Sequence, residues 1–135
     1  MLNSQLGAQV RVYRNLNNGK FSVQALSAPG KWKVAGYSDV IVLNSVSFTG
    51  AHTKAQAKIQ AGAPRAVHAY AVGTCYGFHI PQTVESLLSM GYHEVTYKPK
   101  ERAGFYELRT GAEVEGAQIA IFLSGKMLCA GVRYV

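Results

Sequence analysis

Acidic residues are scarce in this chain, and they come late. Seven Asp and Glu stand against fourteen Lys and Arg in 135 residues, for a formal net charge of +7. Only Asp39 precedes position 85; the others are Glu85, Glu94, Glu101, Glu107, Glu113 and Glu115. The early bases are Arg11, Arg14, Lys20, Lys31, Lys33, Lys54, Lys58 and Arg65, so the whole surplus sits in residues 1–84. Cysteine is nearly absent. Cys75 and Cys129 lie far apart and match neither a zinc nor a redox spacing. No apolar run approaches the roughly 18 residues of a membrane span. The opening Met1-Leu2-Asn3-Ser4-Gln5 has no basic stretch followed by an apolar one, so no secretory signal is expected. These absences point to a soluble protein of a reducing cytosol, with no membrane partner.

The usual marks of catalysis are also missing. There is no His-x-x-x-His, no Cys-x-x-Cys and no Gly-x-Ser-x-Gly, and Gly30-Lys31 lacks the spacing of a phosphate-cradling loop. Glu113 and Glu115 are paired carboxylates in a turn-like stretch, where solvation is the ordinary explanation. Cys75 and His79 are close in sequence, but nucleophile–base pairs are normally assembled across a fold. His52, His68, His79 and His93 have too few Cys and Asp around them to make a metal centre the expectation. The chain therefore reads as a non-enzyme needing no cofactor and no metal.

What is present is a core and a strand pattern. At 48% hydrophobic and 16% charged residues, the chain can bury enough apolar surface to order itself. Its length suits one domain over residues 1–135. Period-two alternation predicts strands over 9–14, 21–25, 32–37, 40–48, 66–72 (ended by Gly73), 93–98, 105–109, 117–123 and 127–134. Asn17-Asn18-Gly19 and Ser124-Gly125-Lys126 read as hairpin turns. Thr53-Lys54-Ala55-Gln56 fits a capping box, which opens one short helix, and residues 81–90 read as a second that stops at Gly91. The expected fold class is α+β, a mainly antiparallel sheet with two short helices.

Surplus base with few acids suggests an anionic partner, although solubility or a basic rim around an oligomer interface explains the same surplus. Several positions pair a cation with a ring at strand spacing: Arg11 with Tyr13, His68 with Tyr70, and Phe105 with Arg109. Rings stack on bases and guanidinium groups grip phosphates. Rings at alternating positions are also the ordinary half-buried residues of a sheet. Arg14-Asn15-Leu16-Asn17-Asn18 is donor-rich, which suits either hairpin capping or an anion.

The run Val10-Arg11-Val12-Tyr13-Arg14-Asn15-Leu16-Asn17, then Phe21-Ser22-Val23, then Val40 to Phe48, then Val67 to Gly73 resembles a group of short phage and prophage proteins. It is similar to the Thoeris anti-defence sponges of the first type over about residues 9–73. Those proteins sequester cyclic ADP-ribose signals made by bacterial TIR enzymes, and some bind cyclic oligonucleotides. They work without hydrolysis, as oligomers, with aromatic and arginine residues around the ligand. The resemblance implies a phage-encoded homo-oligomer of the infected host's cytoplasm that holds a cyclic nucleotide. On that reading Arg109 clamps and Phe105 stacks; Arg65, His68, Tyr70 and Arg102 are secondary contacts; and Arg14, Asn15 and Lys20 form a second anion site. The competing readings are a phage inhibitor that binds a host macromolecule or nucleic acid, in the manner of anti-CRISPR proteins, an enzyme that degrades such a signal, and an oligomer without a ligand.

Overall fold

Val10 and Val12 point one way along the first strand, and Arg11 and Tyr13 the other. The computed structural model shows the valines fully buried and the other two half-buried. It describes residues 2–14, 20–27, 31, 33–49, 70–98 and 104–135. A 3-10 turn at Leu2–Gln5 leads into strands β1 (Gln9–Arg14), β2 (Phe21–Ala25), β3 (Val34–Ser38), β4 (Val40–Thr49) and β5 (Tyr70–Gly77). Helix α1 (Val84–Ser89) is followed by β6 (His93–Lys98), β7 (Gly104–Glu107), β8 (Val114–Leu123) and β9 (Lys126–Tyr134). All nine strands join one sheet in the order β3-β2-β1-β5-β4-β8-β9-β6-β7. Every pairing in it is antiparallel.

The sheet is strongly curled, and the chain itself requires this. β3 and β4 are four places apart in the sheet, about 19 Å if it were flat at ~4.8 Å per strand. Yet only Asp39 separates them, and two residue steps span at most about 7 Å. The chain turns this corner with Ser38, whose hydroxyl accepts from the Val40 N–H at 3.2 Å. Ring contacts agree. Phe21 of β2 meets Phe122 of β8 at 5.1 Å between centroids, edge to face, and Phe48 of β4 stacks on Phe105 of β7 at 4.7 Å. Each pair is again four strands apart. The inner face thus covers itself, with Val10, Val23, Ile41, Leu43, Val46, Cys75, Ala120 and Cys129 at or near zero exposure.

On the outer face, α1 covers β4, β8 and β9. Leu87 packs with Val42, Ile121 and Leu128, joined by Ile80, Val84 and Tyr92. The helix begins later than residue 81 because Thr83 is its cap: its hydroxyl accepts from the Ser86 N–H at 3.1 Å. It is the one α-helix among the described residues, so the two short helices expected are met there by one; the Thr53 capping box lies outside the described residues, as does the Asn17-Asn18-Gly19 turn. β8 and β9 join through Ser124 and Gly125, both at positive φ, as a two-residue hairpin loop demands.

Several strand ends differ from the sequence reading: β3 starts at Val34 and not at 32, β8 starts at Val114 and not at 117, and β5 and β7 end elsewhere. Gly73 does not end β5, which runs on to Gly77. β4 bulges at Ser45 (φ 53), so the register shifts between Asn44 and Ser47 and the β4 backbone closes on β5. A Cβ at Gly73 would lie 2.9 Å from the Asn44 carbonyl oxygen. Glycine marks a close approach here, not a stop. At the other end, β7 stops at Glu107, and Leu108, Arg109 and Thr110 form a turn.

Cys75 and Cys129 are free and buried in the inner core. Burial pushes their thiols up to about 11 and about 12. No helix among the described residues is long and apolar enough to cross a membrane. Gly73→Ala should lower folding stability by about 1–3 kcal/mol, since the Asn44 backbone has to give way. Phe105→Ala should cost about 3–5 kcal/mol by emptying the ring stack. Urea denaturation followed by circular dichroism measures both.

Candidate functional site

All four residues of β7, Gly-Phe-Tyr-Glu, are buried, and the last is an acid. Glu107 is 4% exposed, and it is the one buried carboxylic acid among the described residues. A carboxylate out of water needs donors on its oxygens, and three elements supply them. Thr110, in the turn after β7, donates its hydroxyl to Oε1 at 2.6 Å. Tyr134, at the end of β9, donates its phenol to Oε2 at 2.7 Å. Nδ1 of His93, the first residue of β6, lies 2.8 Å from Oε2. A carboxylate only accepts, so Nδ1 carries the proton and Nε2 is the remaining polar atom of the ring. The turn that brings Thr110 back is closed by the Gly111 N–H on the Glu107 carbonyl at 2.8 Å, with Gly111 at φ +76.

These bonds hold the Glu107 carboxyl below its ordinary range. The Thr110 hydroxyl contributes most, then the Tyr134 phenol, with the His93 and Arg109 charges adding to them against the opposing effect of burial. The same bond raises the Tyr134 phenol, because ionising it would set two negative charges together.

Beside this cluster lies a pocket of about 340 Å³. The end of α1 contributes Leu88, the turn after it Gly91 and Tyr92, β6 His93 and Glu94, and the β7 turn Leu108 and Arg109, with Glu107 at its wall. Glu107 is occupied by its three donors, and Glu94 lies 3.9 Å from the Lys126 ammonium. The lining therefore offers an imidazole held in place, a guanidinium and a phenol ring.

The structure separates the residues nominated from sequence. Arg109 lines the pocket and is exposed in its turn. Phe105 does not share its face: β7 ends before Arg109, and the ring is 4% exposed, packed on Phe48 and Tyr97. Its stacking role is spent in the core. Tyr70, on β5, stands under the Arg11 guanidinium at 4.6 Å on the outer face of the sheet and is not part of the pocket. Lys20 lies 4.0 Å from Asp39, both largely exposed, a contact of little energy. Arg14 ends β1, and its side chain lies outside the description, as do Asn15, Arg65, His68 and Arg102 altogether. Cys75 is buried whereas His79 is exposed, which leaves that pair without an accessible nucleophile. No group of three His, Cys, Asp or Glu able to hold a metal occurs among the described residues.

From sequence, His93 stands among the histidines weighed for a metal centre, and Tyr134 and Glu107 carry no assigned role. The available signal is an acid closing an apolar strand three residues before Thr110-Gly111.

Glu107→Gln should cost about 1–3 kcal/mol at pH 7. A carboxyl lowered in the folded state stabilises fully above its ordinary value of 4.5 and loses that contribution as pH falls through the lowered value. Urea denaturation at pH 7 and pH 3 should therefore show the gap between native protein and variant narrowing in acid. An equal gap at both would take the charge out of the account.

Searches of curated proteins and of solved structures find no match. The family model described as the Mycobacterium phage L5 gene 82 protein matches residues 3–130. That match spans nearly the whole sheet, from the first 3-10 turn into β9, and the chain belongs to this family of phage proteins.

Proposed function

We propose that the protein binds a phosphate-bearing cyclic nucleotide signal and withholds it without altering it, as a phage-encoded anti-defence sponge would. The observation that carries this reading is the pairing of Arg109 with a fixed His93 in one pocket whose buried carboxylate, Glu107, is already bonded. A guanidinium suits phosphate oxygens, the free Nε2 of His93 suits a sugar hydroxyl, and Tyr92 supplies a ring beside them. The pocket, at about 340 Å³, is at the small end for organic ligands. It suits one phosphate with its sugar or base, and a second copy of the chain would cover the rest of a cyclic ligand. Cyclic ADP-ribose isomers and cyclic oligonucleotides are the ligands of this chemistry.

Purified protein is mixed with a panel of these nucleotides, separated from the unbound fraction by filtration, then heated, and the released material analysed. The expected result is capture and release of one unaltered nucleotide. Arg109→Ala should weaken that capture about 10- to 100-fold, the worth of a charge-assisted bond. Release of an altered product would make the protein an enzyme. Absence of any capture would end the nucleotide reading.

A further inference from the structure

A second surface, at the opposite end of the strand order from this pocket, is built from β3, β2, β1 and β5. Their inner residues, Val10, Val12, Val23, Ala71 and Cys75, are buried in the core. The alternate residues form the outer face. Cross-strand register sets Tyr13 opposite Ser22 and Ser22 opposite Tyr37, so the two rings flank a fully buried serine. One row along, Arg11 is opposite Gln24 on one side and Val72 on the other. Its Nε donates to the Gln24 amide oxygen at 2.6 Å, and its guanidinium carbon stands 4.6 Å over the Tyr70 ring. A cation is thus fixed in place on an aromatic surface. Further along β5, Tyr76 is 71% exposed, and Tyr37 is 47% exposed.

None of the residues in these four strands is an Asp or a Glu, while Arg11 is the cation that β1 sets on the outer face. The face therefore combines rings that water covers poorly with positive charge and no strand carboxylate to repel an anion. Aromatic side chains stack on any unpaired base, and fixed cations follow the phosphates between them. A duplex keeps its base faces inside its own stack and offers such rings nothing to stack on.

We infer that the outer face of β3-β2-β1-β5 binds single-stranded nucleic acid, with Tyr37 and Tyr76 stacking on bases and Arg11 meeting the backbone. The inference does not depend on the pocket or on its ligand.

The test is fluorescence anisotropy of the full chain with a labelled oligo(dT) of about 15 nucleotides, within the range such surfaces occupy, and with a duplex of equal length. The single strand should bind more tightly than the duplex, and its affinity should fall with salt, at a slope of about 0.7 per phosphate neutralised. Tyr37→Ala and Tyr76→Ala should each weaken it about tenfold. Both side chains are exposed, and an unchanged urea midpoint confirms that the variants fold. Arg11→Gln should make the salt slope shallower by about one contact. Arg109→Ala should leave this affinity unchanged, which separates the face from the pocket. No binding, equal affinity for duplex, indifference to loss of both tyrosines, or an equal loss in Arg109→Ala would each overturn the inference.

Discussion

Phe21 and Phe122 touch inside the molecule although three strands lie between theirs, and Phe48 and Phe105 do the same. Both contacts express one constraint. A sheet this wide has an apolar face that something must cover, and here the sheet bends until it covers much of its own. The single-residue corner at Asp39, the bulge at Ser45 and the side-chain-free space at Gly73 are the local devices that let it bend. Curvature also divides the labour among side chains. Rings that point inward, such as Phe105, are consumed by packing, and what remains for a ligand stands on the outside or at the ends of strands.

Glu107 shows what that division leaves available at a strand end. Its carboxylate ties β6, the β7 turn and the end of β9 to one point. Both its oxygens are bonded at that junction, so it acts as an anchor. His93 gains a fixed ring orientation from it, and the pocket gains a wall that does not compete for its cations. The outer tyrosine face rests on a different principle, a cation laid on a ring and held by an amide. The two surfaces draw on separate strands, the pocket on β6 and the β7 turn and the tyrosine face on β3, β2, β1 and β5.

Much of the strand inventory was legible in sequence, because Val10/Val12, the β-branched run of β4 and the alternation in β6 mark inward faces directly. Pairing was not legible. Alternation says where a strand lies, and nothing in it says that β1 neighbours β5 or that β9 neighbours β6. Gly73 misled because a glycine placed for close backbone approach has the same spelling as one placed for a turn. Phe105 and Arg109 were expected on one face because four residues of strand would put them there, but the turn begins at Leu108. Within the pocket, Arg109 was named from its type and place. The junction at Glu107 was out of reach, since Tyr134 lies 27 residues away and meets it only through the order of strands.

The curled sheet does not close on itself among the described residues. Its outermost members, β3 and β7, are five and four residues long. An open edge is a template on which further chains can polymerise, and proteins commonly limit that hazard by keeping edges short. A molecule docking strand to strand here would find only a few backbone groups to pair before the edge ran out. Growth into fibres is thereby discouraged at both margins. A long outer strand at either position would have turned the same architecture into a seed for aggregation inside a crowded cell.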